Sequence, residues 1–407
     1  MKLALALEQA LAAVLRLELP ADRALSEFFR RNHALGRRDR GMIAETVFDV
    51  LRNRRLYAHL AQGGTGRLER RLALLSPAAP GLAPSVGEQE WLAAVANVPR
   101  DELAPALRLS LPDWLATRLQ ETFPGEEFEN LAQALLRPAP LDLRVNLVRA
   151  NRDAAIVALR AEGIEAAPLV MVETALRVEG KPALERCAPF LRGDVEVQDA
   201  GSQLLTRLVA PRRGQTVVDF CAGAGGKTLA LAAAMRSSGQ IFACDVSGAR
   251  LRRMKPRLAR SGATNVQPFG IDSERDPKLA RLAGRADAVL VDAPCSGTGT
   301  LRRNPDLKWR LDPADVTRLV ATQNSILAEA ARLVKKGGAL VYATCSLLDE
   351  ENEGVAAHFE AQNPGWERDD PRHHIAPEYC SGMALRLLAH RHDTDCFFAA
   401  RWIRREL

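Results

Sequence analysis

Two cysteines in this 407-residue chain follow apolar stretches and directly precede a serine. Cys295 stands in "VLVDAPCSGTG" and Cys345 in "ALVYATCSLLD". Short apolar runs of this kind predict buried strands, so both thiols fall where a strand ends. At the carboxyl end of a parallel strand a side chain faces the ligand edge of the sheet, and polar or basic neighbours there favour a reactive thiolate. The sequence therefore indicates a site with two thiols at one edge of a sheet.

A glycine-rich turn follows another apolar strand, in "VVDFCAGAGGKT" (217–228). Glycines at this point let the backbone approach a nucleotide or cofactor closely. The phosphate-binding loop G-x-x-x-x-G-K-[ST] fits "GKT" at 226–228, but its first glycine falls on Cys221. A dinucleotide fingerprint beginning at Gly223 would need a glycine where Thr228 stands. The turn alone leaves an NTP, a dinucleotide and S-adenosylmethionine open.

Aspartates stand at four of the predicted strand ends, at Asp219, Asp245, Asp272 and Asp292. Asp245 lies about twenty residues beyond the turn, where a carboxylate accepts the hydroxyls of a ribose. Asp272 suits an adenine amino group, whereas Asp292 could equally hold magnesium in an NTPase. Together the acids favour S-adenosylmethionine as the cofactor and leave a P-loop-like NTPase as the alternative.

One reaction needs both S-adenosylmethionine and a thiolate. Carbon 5 of a pyrimidine is a poor nucleophile until a thiolate adds to C6, after which C5 can attack the sulfonium methyl group. The reaction needs a nucleophile, an acid near N3 and a base that removes the C5 proton. Cys345, Asp292 and Cys295 are the candidates, and the residues alone do not order the two thiols.

The elements that must position these residues begin at about residue 196. Apolar strands and helices alternate from there to the C-terminus, which predicts an α/β domain with a doubly wound, mostly parallel, Rossmann-like sheet over 196–407. Residues 1–137 carry apolar positions at three- and four-residue steps and are predicted to be all-α. Residues 138–195 read as short strands around one helix, a small α/β connector.

Basic residues are concentrated in particular segments of a chain whose net charge is +6. The segment 249–260 holds six cations and no anion, and Arg37, Arg38 and Arg40 cluster near the N-terminus. Basic surfaces near a catalytic core favour a polyanion, so RNA is the expected partner.

Seven scattered cysteines argue against a disulfide framework and favour the reducing cytoplasm. No apolar run is long enough for a membrane span, so a cytoplasmic protein without membrane contact is expected, as a monomer. The histidines near the C-terminus match no standard zinc spacing, and no metal is expected.

Three motifs carry a family resemblance: "DFCAGAGGKT", "DAPCSGTGTLRRNPDLKW" and "LVYATCSLLDEENE". They resemble the Nop/Sun-type RNA cytosine-5 methyltransferases, which have a class I methyltransferase domain. The N-terminal "LGRRDRGMIAETVFDVLRNRR" resembles the NusB-like helical domain of the bacterial RsmB-type branch, which modifies 16S ribosomal RNA. The family's turn often has proline where Ala224 stands, and glycine where Cys396 stands.

The resemblance also implies residue roles. Cys345 is then the nucleophile, Cys295 assists product release, and Asp292 and Lys227 lie beside the target base. The residues implied around the cofactor are Cys221, Ala222, Gly223, Ala224, Gly225, Gly226, Lys227, Asp245, Arg250, Asp272 and Asp292.

Three further functions remain open for this chain. The same chemistry could act on transfer RNA, because only the NusB-like resemblance favours ribosomal RNA. A P-loop-like NTPase and a catalytically idle RNA-binding assembly factor are the remaining two. The four intact residues of the proposed chemistry argue against an idle factor.

Overall fold

The computed structural model describes residues 3–79 and 81–406 of the chain. It divides into two compact units, one of residues 1–138 with 300–313 and the other of residues 139–299 with 314–407. The first break lies one residue beyond the predicted end of the helical region. The predicted connector belongs to the second unit, and 300–313, expected within the catalytic domain, belongs to the first.

The first unit is helical, as its periodicity predicts. Helix α6 shows how local sequence starts a helix: the Ser85 side chain accepts from the Glu88 N–H, and the Glu88 carboxylate accepts from the Ser85 N–H at 2.7 Å. The helices before residue 139 are α1 (Leu3–Leu15), α2 (Ala21–Arg31), α3 (Arg37–Arg52), α4 (Arg54–Leu60), α5 (Leu68–Leu75), α6 (Val86–Ala96), α7 (Pro105–Arg108), α8 (Asp113–Thr122) and α9 (Glu126–Leu135).

The segment 300–313 packs into this helical unit through side chains that bind backbone carbonyls. Arg52 on α3 donates to the Arg302 carbonyl at 2.8 Å, and Lys308 donates to the Arg52 carbonyl at 2.8 Å. The Trp309 indole donates to another α3 carbonyl at 2.7 Å. Burial lowers the pKa of Lys308 to about 7. These contacts explain why the segment belongs with the helical unit.

The second unit begins with a small antiparallel sheet in the order β2-β3-β1-β4. Leu143 on its central strand lies opposite Leu176, and both are buried in a core that also contains Leu159. Its elements are β1 (Leu141–Val145), α10 (Arg152–Ala161), β2 (Ala166–Pro168), β3 (Ala175–Val178), α11 (Ala188–Arg192) and β4 (Val195–Val197).

The large sheet has the order β11-β12-β13-β9-β8-β5-β6-β7, with β10 paired to β13. The strands β9, β8, β5, β6 and β7 are parallel, and the remaining four are antiparallel. Its strands are β5 (Thr216–Asp219), β6 (Gln240–Asp245), β7 (Val266–Gly270), β8 (Ala286–Asp292), β9 (Val334–Thr344), β10 (Trp366–Arg368), β11 (Cys380–Ser381), β12 (Ala384–Leu387) and β13 (Phe397–Arg404).

Helices connect the parallel strands and cover both faces of the sheet. Neighbouring strand residues point to opposite faces, so Val217 and Val218 enter different apolar clusters, as do Leu340 and Val341. The remaining helices are α12 (Ala200–Arg207), α13 (Gly226–Ala234), α14 (Gly248–Ser261), α15 (Leu307–Arg310), α16 (Pro313–Ala331), α17 (Glu353–Gln362) and α18 (Ala389–His392).

The predicted doubly wound, mostly parallel α/β fold is therefore confirmed. Its carboxyl edge gathers the ends of β8, β5 and β6, which are neighbours in the sheet. In the part of the chain that the structure describes, no helix combines the length and apolar character needed to cross a membrane.

Candidate active site

A cavity of about 650 Å³ lies at the carboxyl edge of the parallel strands. Its walls come from the glycine turn, the end of β6, the start of α14 and the loops after β8 and β9. The predicted site residues that line it are Cys221, Ala222, Gly223, Ala224, Gly226, Lys227, Asp245, Arg250, Asp292, Cys295 and Cys345. The tertiary structure thus brings most of the predicted set into one cavity.

Two predicted residues do not line the cavity. Gly225 has a positive φ of 86° and lies behind the turn, where a Cβ would meet the Met254 side chain at 2.6 Å. Asp272 was expected to end the third parallel strand, but β7 ends two residues earlier, at Gly270. The Asp272 side chain is 92% exposed and lies 3.5 Å from the Lys278 ammonium. The expectation that its carboxylate faces the ligand is therefore not met in this structure.

Asp245 ties the glycine turn to the end of β6. One of its carboxylate oxygens accepts the Gly223 N–H at 2.8 Å, and the other accepts the Ser247 N–H at 2.7 Å. Arg257 on α14 holds the same turn, because it donates to the Ala224 carbonyl at 2.7 Å. The turn has a fixed shape in which a strand-end carboxylate borders the cavity.

Asp219 lies beneath the turn and is completely buried. One of its oxygens accepts from the Thr228 hydroxyl at 2.6 Å. Burial raises the pKa of this carboxyl to about 7, although the Thr228 hydrogen bond opposes the rise. Asp219 therefore supports the start of α13, and its carboxyl group stays protonated up to nearly neutral pH.

Lys227 and Asp292 form a close ion pair at 2.6 Å in the cavity. Burial by itself lowers the pKa of the Lys227 ammonium, but the facing carboxylate of Asp292 outweighs it, so the pKa is raised. The ammonium also lies 5.6 Å from the centre of the Phe397 ring. The pair supplies a fixed positive and a fixed negative group beside the thiols.

The two predicted thiols meet, with their Sγ atoms 3.4 Å apart. The hydrogen bond with Cys345 and burial both raise the pKa of the Cys295 thiol well above its usual value, and the charge of Glu351 adds to the rise. Cys295 therefore keeps its proton while Cys345 remains its partner. The contact joins the loops that follow β8 and β9.

Sequence reasoning missed several residues of this cavity. Gln198 and Ser202, at the entry to the catalytic region, line it, as do Ile271 and Glu274 on either side of Asp272. The segment "VEVQDAGSQL" carries polar residues directly after a short strand, and that pattern could have identified the first two. The other two follow the end of β7, so an accurate strand boundary would have found them.

Two of the C-terminal histidines share one carboxylate partner. His373 and His374 each contact the Asp369 carboxylate at 3.0 Å. Across residues 3–79 and 81–406, no group of three or more His, Cys, Asp or Glu side chains is arranged to hold a metal ion.

Comparison with known proteins gives matches across most of the chain. Residues 206–403 match the family "16S rRNA methyltransferase RsmB/F", and residues 111–185 match its ferredoxin-like domain. The "Probable ribosomal RNA small subunit methyltransferase B" of Synechocystis sp. is 34% identical over 307 residues, which cover 74% of this chain and 68% of that protein. These two family matches lie at residues 111–185 and 206–403, and the NusB-like resemblance of the N-terminal region stays a prediction.

Solved structures agree with this relationship. The crystal structure of PH0851 superposes with a TM-score of 0.81 at 27% identity, covering 99% of this chain and 98% of that one. A methyltransferase homologue from Pyrococcus horikoshii has a TM-score of 0.64 at 29% identity, covering 74% of this chain and 97% of that one.

The cavity fits the cofactor of this fold. Asp245 offers a carboxylate for ribose hydroxyls, the glycines of the turn leave room for a ligand to approach the backbone, and Val246 and Ile271 offer apolar surface for a base. S-Adenosylmethionine is the cofactor, and its sulfonium supplies a methyl group. With its sequence matches, its fold and this cavity, the chain belongs to the RsmB/F family of 16S rRNA methyltransferases.

Proposed function

We propose that this chain methylates carbon 5 of a cytosine in small-subunit ribosomal RNA through a covalent link between Cys345 and the target base. The observation that carries the proposal is the 3.4 Å contact between the Sγ atoms of Cys295 and Cys345, in the same cavity as the Lys227–Asp292 pair. The names of the relatives support ribosomal RNA as the substrate.

The surroundings of the two thiols support different roles for them. The Lys227 ammonium lies near enough to the Cys345 sulfur for a thiolate there to raise the pKa of the lysine, so a positive group stands near that sulfur. The contact with Cys345 and burial raise the pKa of the Cys295 thiol, and the negative charge of Glu351 raises it further. Cys295 therefore retains its proton. Cys345 is accordingly the nucleophile and Cys295 acts in a later step.

The proposed reaction balances with the groups in the cavity. Cys345 loses its proton to solvent and its thiolate adds to C6. The electrons of the C5–C6 double bond move toward N3, where the Asp292–Lys227 pair donates a proton. C5 would then take the methyl group of the bound cofactor, whose sulfonium would leave as a neutral thioether.

The covalent link removes the Cys345 thiol, which had been the main cause of the raised Cys295 pKa. The Cys295 thiol can then lose its proton to solvent and act as the base. Its thiolate accepts the C5 proton as the C6–S bond breaks and the C5–C6 double bond returns, and N3 gives its proton back to the Asp292–Lys227 pair.

Single alanine variants of the two cysteines test this order. Cys295→Ala should add to RNA and methylate it without releasing it, so a protein–RNA adduct should accumulate on a denaturing gel. Cys345→Ala should form neither adduct nor product, while calorimetry still detects cofactor binding. An adduct found only in Cys345→Ala would reverse the two roles, and near-normal turnover in either variant would remove that thiol from the chemistry.

Bisulfite sequencing of RNA identifies the substrate. Total RNA from a strain that lacks the protein should lose 5-methylcytosine at a position in small-subunit ribosomal RNA. Loss from transfer RNA instead would keep the chemistry and overturn the proposed substrate.

A further inference from the structure

A carboxylate that the proposed reaction does not use lies behind the two thiols. Glu351 is 0% exposed, and its side chain accepts hydrogen bonds from three separate segments. The Ser296 N–H donates at 2.8 Å, the Gln323 amide on α16 donates at 2.9 Å, and the Ser346 hydroxyl donates to the second oxygen. Ser296 and Ser346 directly follow Cys295 and Cys345 in the sequence, so one carboxylate holds both cysteine loops.

The hydroxyl groups in front of Glu351 join the same loops to each other. The Oγ atoms of Ser296 and Ser346 lie 3.1 Å apart, and Thr298 Oγ1 lies 3.1 Å and 3.3 Å from them. Thr298 Oγ1 also accepts the Leu347 N–H at 2.8 Å. Each loop thus hydrogen-bonds to the other as well as to Glu351.

The backbone of Glu351 is fixed from the strand side. The Tyr342 hydroxyl on β9 donates to the Glu351 carbonyl at 2.6 Å. The neighbouring Asn352 accepts from the Thr344 hydroxyl at 2.5 Å and donates to the Ser346 carbonyl at 3.0 Å. The carboxylate therefore cannot move without disturbing the end of β9, from which Cys345 projects.

Burying a carboxylate between two loops costs free energy of folding. Among the described residues, no Lys, Arg or His nitrogen forms an ion pair with Glu351, so its charge is compensated by hydrogen bonds alone. Desolvation of such a group opposes folding, and an apolar side chain of similar size often packs at less cost. Glu351 is better explained by the geometry that its two oxygens impose on the loops.

We propose that Glu351 is a positioning residue that sets the spacing of the two cysteine sulfurs at the reacting base. The inference rests on the proposed function, because it assigns the 3.4 Å contact to a role in forming and resolving the adduct. A misplacement of about 1 Å in such a site can cost about 100-fold in rate. Glu351 therefore affects the rate of the reaction without touching the substrate.

The first experiment compares Glu351→Gln with wild type in the full chain. The amide oxygen can keep the bonds from Ser296 and Gln323, but an NH2 group then faces the Ser346 hydroxyl, which donates to the second carboxylate oxygen. The Cys345 loop should therefore shift against the Cys295 loop, while the cofactor residues at the glycine turn stay in place. We expect kcat to fall about 10- to 100-fold, with KM for RNA and cofactor affinity within about 2-fold of wild type. In the Cys295→Ala background, the rate of adduct formation should fall by the same factor.

A second measurement reports thiol spacing independently of methyl transfer. Diamide accepts two hydrogens as two neighbouring thiols form a disulfide, and mass spectrometry detects the product. Wild type should form the Cys295–Cys345 disulfide readily, and Glu351→Gln should form it more slowly. Glu353, two residues along the chain, is half-buried, and among the described residues its carboxylate pairs with Arg368 and with neither cysteine loop. Glu353→Gln is the matched control and should behave as wild type in both assays.

The outcomes separate the two proposals. Wild-type rates of adduct and disulfide formation in Glu351→Gln would overturn the positioning role, even with the proposed function intact. Failure of Cys295→Ala to accumulate an adduct would instead overturn the proposed function. If Glu351→Gln does not fold, Gln323→Ala removes a single donor and should slow both rates by a smaller factor, and unchanged rates there would also reject the inference.

Discussion

The four strand-end aspartates have the same side chain and four different environments. Asp219 is buried under the glycine turn, Asp245 accepts two backbone N–H groups, Asp292 pairs with Lys227, and Asp272 faces solvent. A carboxylate's solvation and partners decide whether it carries charge and what it can bind. The roles of these acids therefore depend on the depth at which each strand ends.

Asp219 gives a prediction about pH. Its folded pKa of about 7 lies above the value near 4 expected in the unfolded chain, so the folded state binds more protons between these values. Its contribution to stability is present below pH 4 and is lost as pH rises toward 7, by at most about 1.4 kcal/mol per pH unit. Asp219→Asn should remove this slope. The difference between the free energies of unfolding of the variant and of wild type should therefore shift in favour of the variant from pH 5 to 7.

Asp287 is the matched control for that measurement. Burial opposes ionisation there too, but the Lys335 ammonium and the Thr216 N–H lower the pKa of its carboxyl below the usual value. It is ionised in both states between pH 5 and 7, so Asp287→Asn should leave the slope unchanged. Parallel pH dependences of wild type and Asp219→Asn in urea titrations would contradict the role given to burial.

At the scale of elements, the glycine turn combines two backbone requirements. Gly223 and Gly225 both have positive φ, at 56° and 86°. Gly223 lines the cavity with open space around its Cα, whereas Gly225 packs against Met254. The first glycine therefore serves the ligand and the second serves the contact between the turn and α14.

Alanine substitutions should separate these two requirements. Each variant should lose roughly 1–2 kcal/mol of stability, because alanine is strained in the left-handed backbone conformation. Gly225→Ala should lose roughly 1–3 kcal/mol more in stability, because its Cβ overlaps Met254. Gly223→Ala should be the more stable variant in thermal unfolding and should show the larger loss of cofactor affinity by calorimetry. Equal stabilities with equal affinities would contradict this division.

At the scale of the whole molecule, the helical unit has a basic surface that the catalytic residues do not explain. Arg37 and Arg38, at the start of α3, are exposed. Arg40 of the same predicted cluster instead donates to the Leu35 carbonyl at 2.9 Å and lies over the Phe29 ring. We propose that this unit binds RNA and that binding depends on the first two arginines.

Salt dependence tests that role. Replacing both Arg37 and Arg38 with alanine should reduce the log–log salt slope of RNA affinity by about 0.7 for each lost phosphate contact. Arg332→Ala removes an exposed arginine that pairs with Glu329 and is the control, with an unchanged slope expected. If the double variant keeps both slope and affinity, the helical unit is not an RNA-binding arm.

The local sequence pattern is sufficient to predict the fold class and the order of the motifs on the parallel strands. Alternating apolar strands and helices require a sheet covered on both faces, and such a sheet gathers its strand ends at one edge. That is why the glycine turn, Asp245, Asp292, Cys295 and Cys345 could be assigned to one cavity from the sequence. Each of these residues lies at or just after the end of its own strand, and the strand ends share one edge of the sheet.

Contacts between segments far apart in the chain required the tertiary structure. Only packing shows that Glu351 reaches both cysteine loops, or that residues 300–313 belong with the helical unit. Asp272 differs from expectation because β7 ends at Gly270, a boundary set by pairing with β6. Hydrogen bonds and burial between distant segments depend on how elements pack, and a local sequence pattern does not encode those distances.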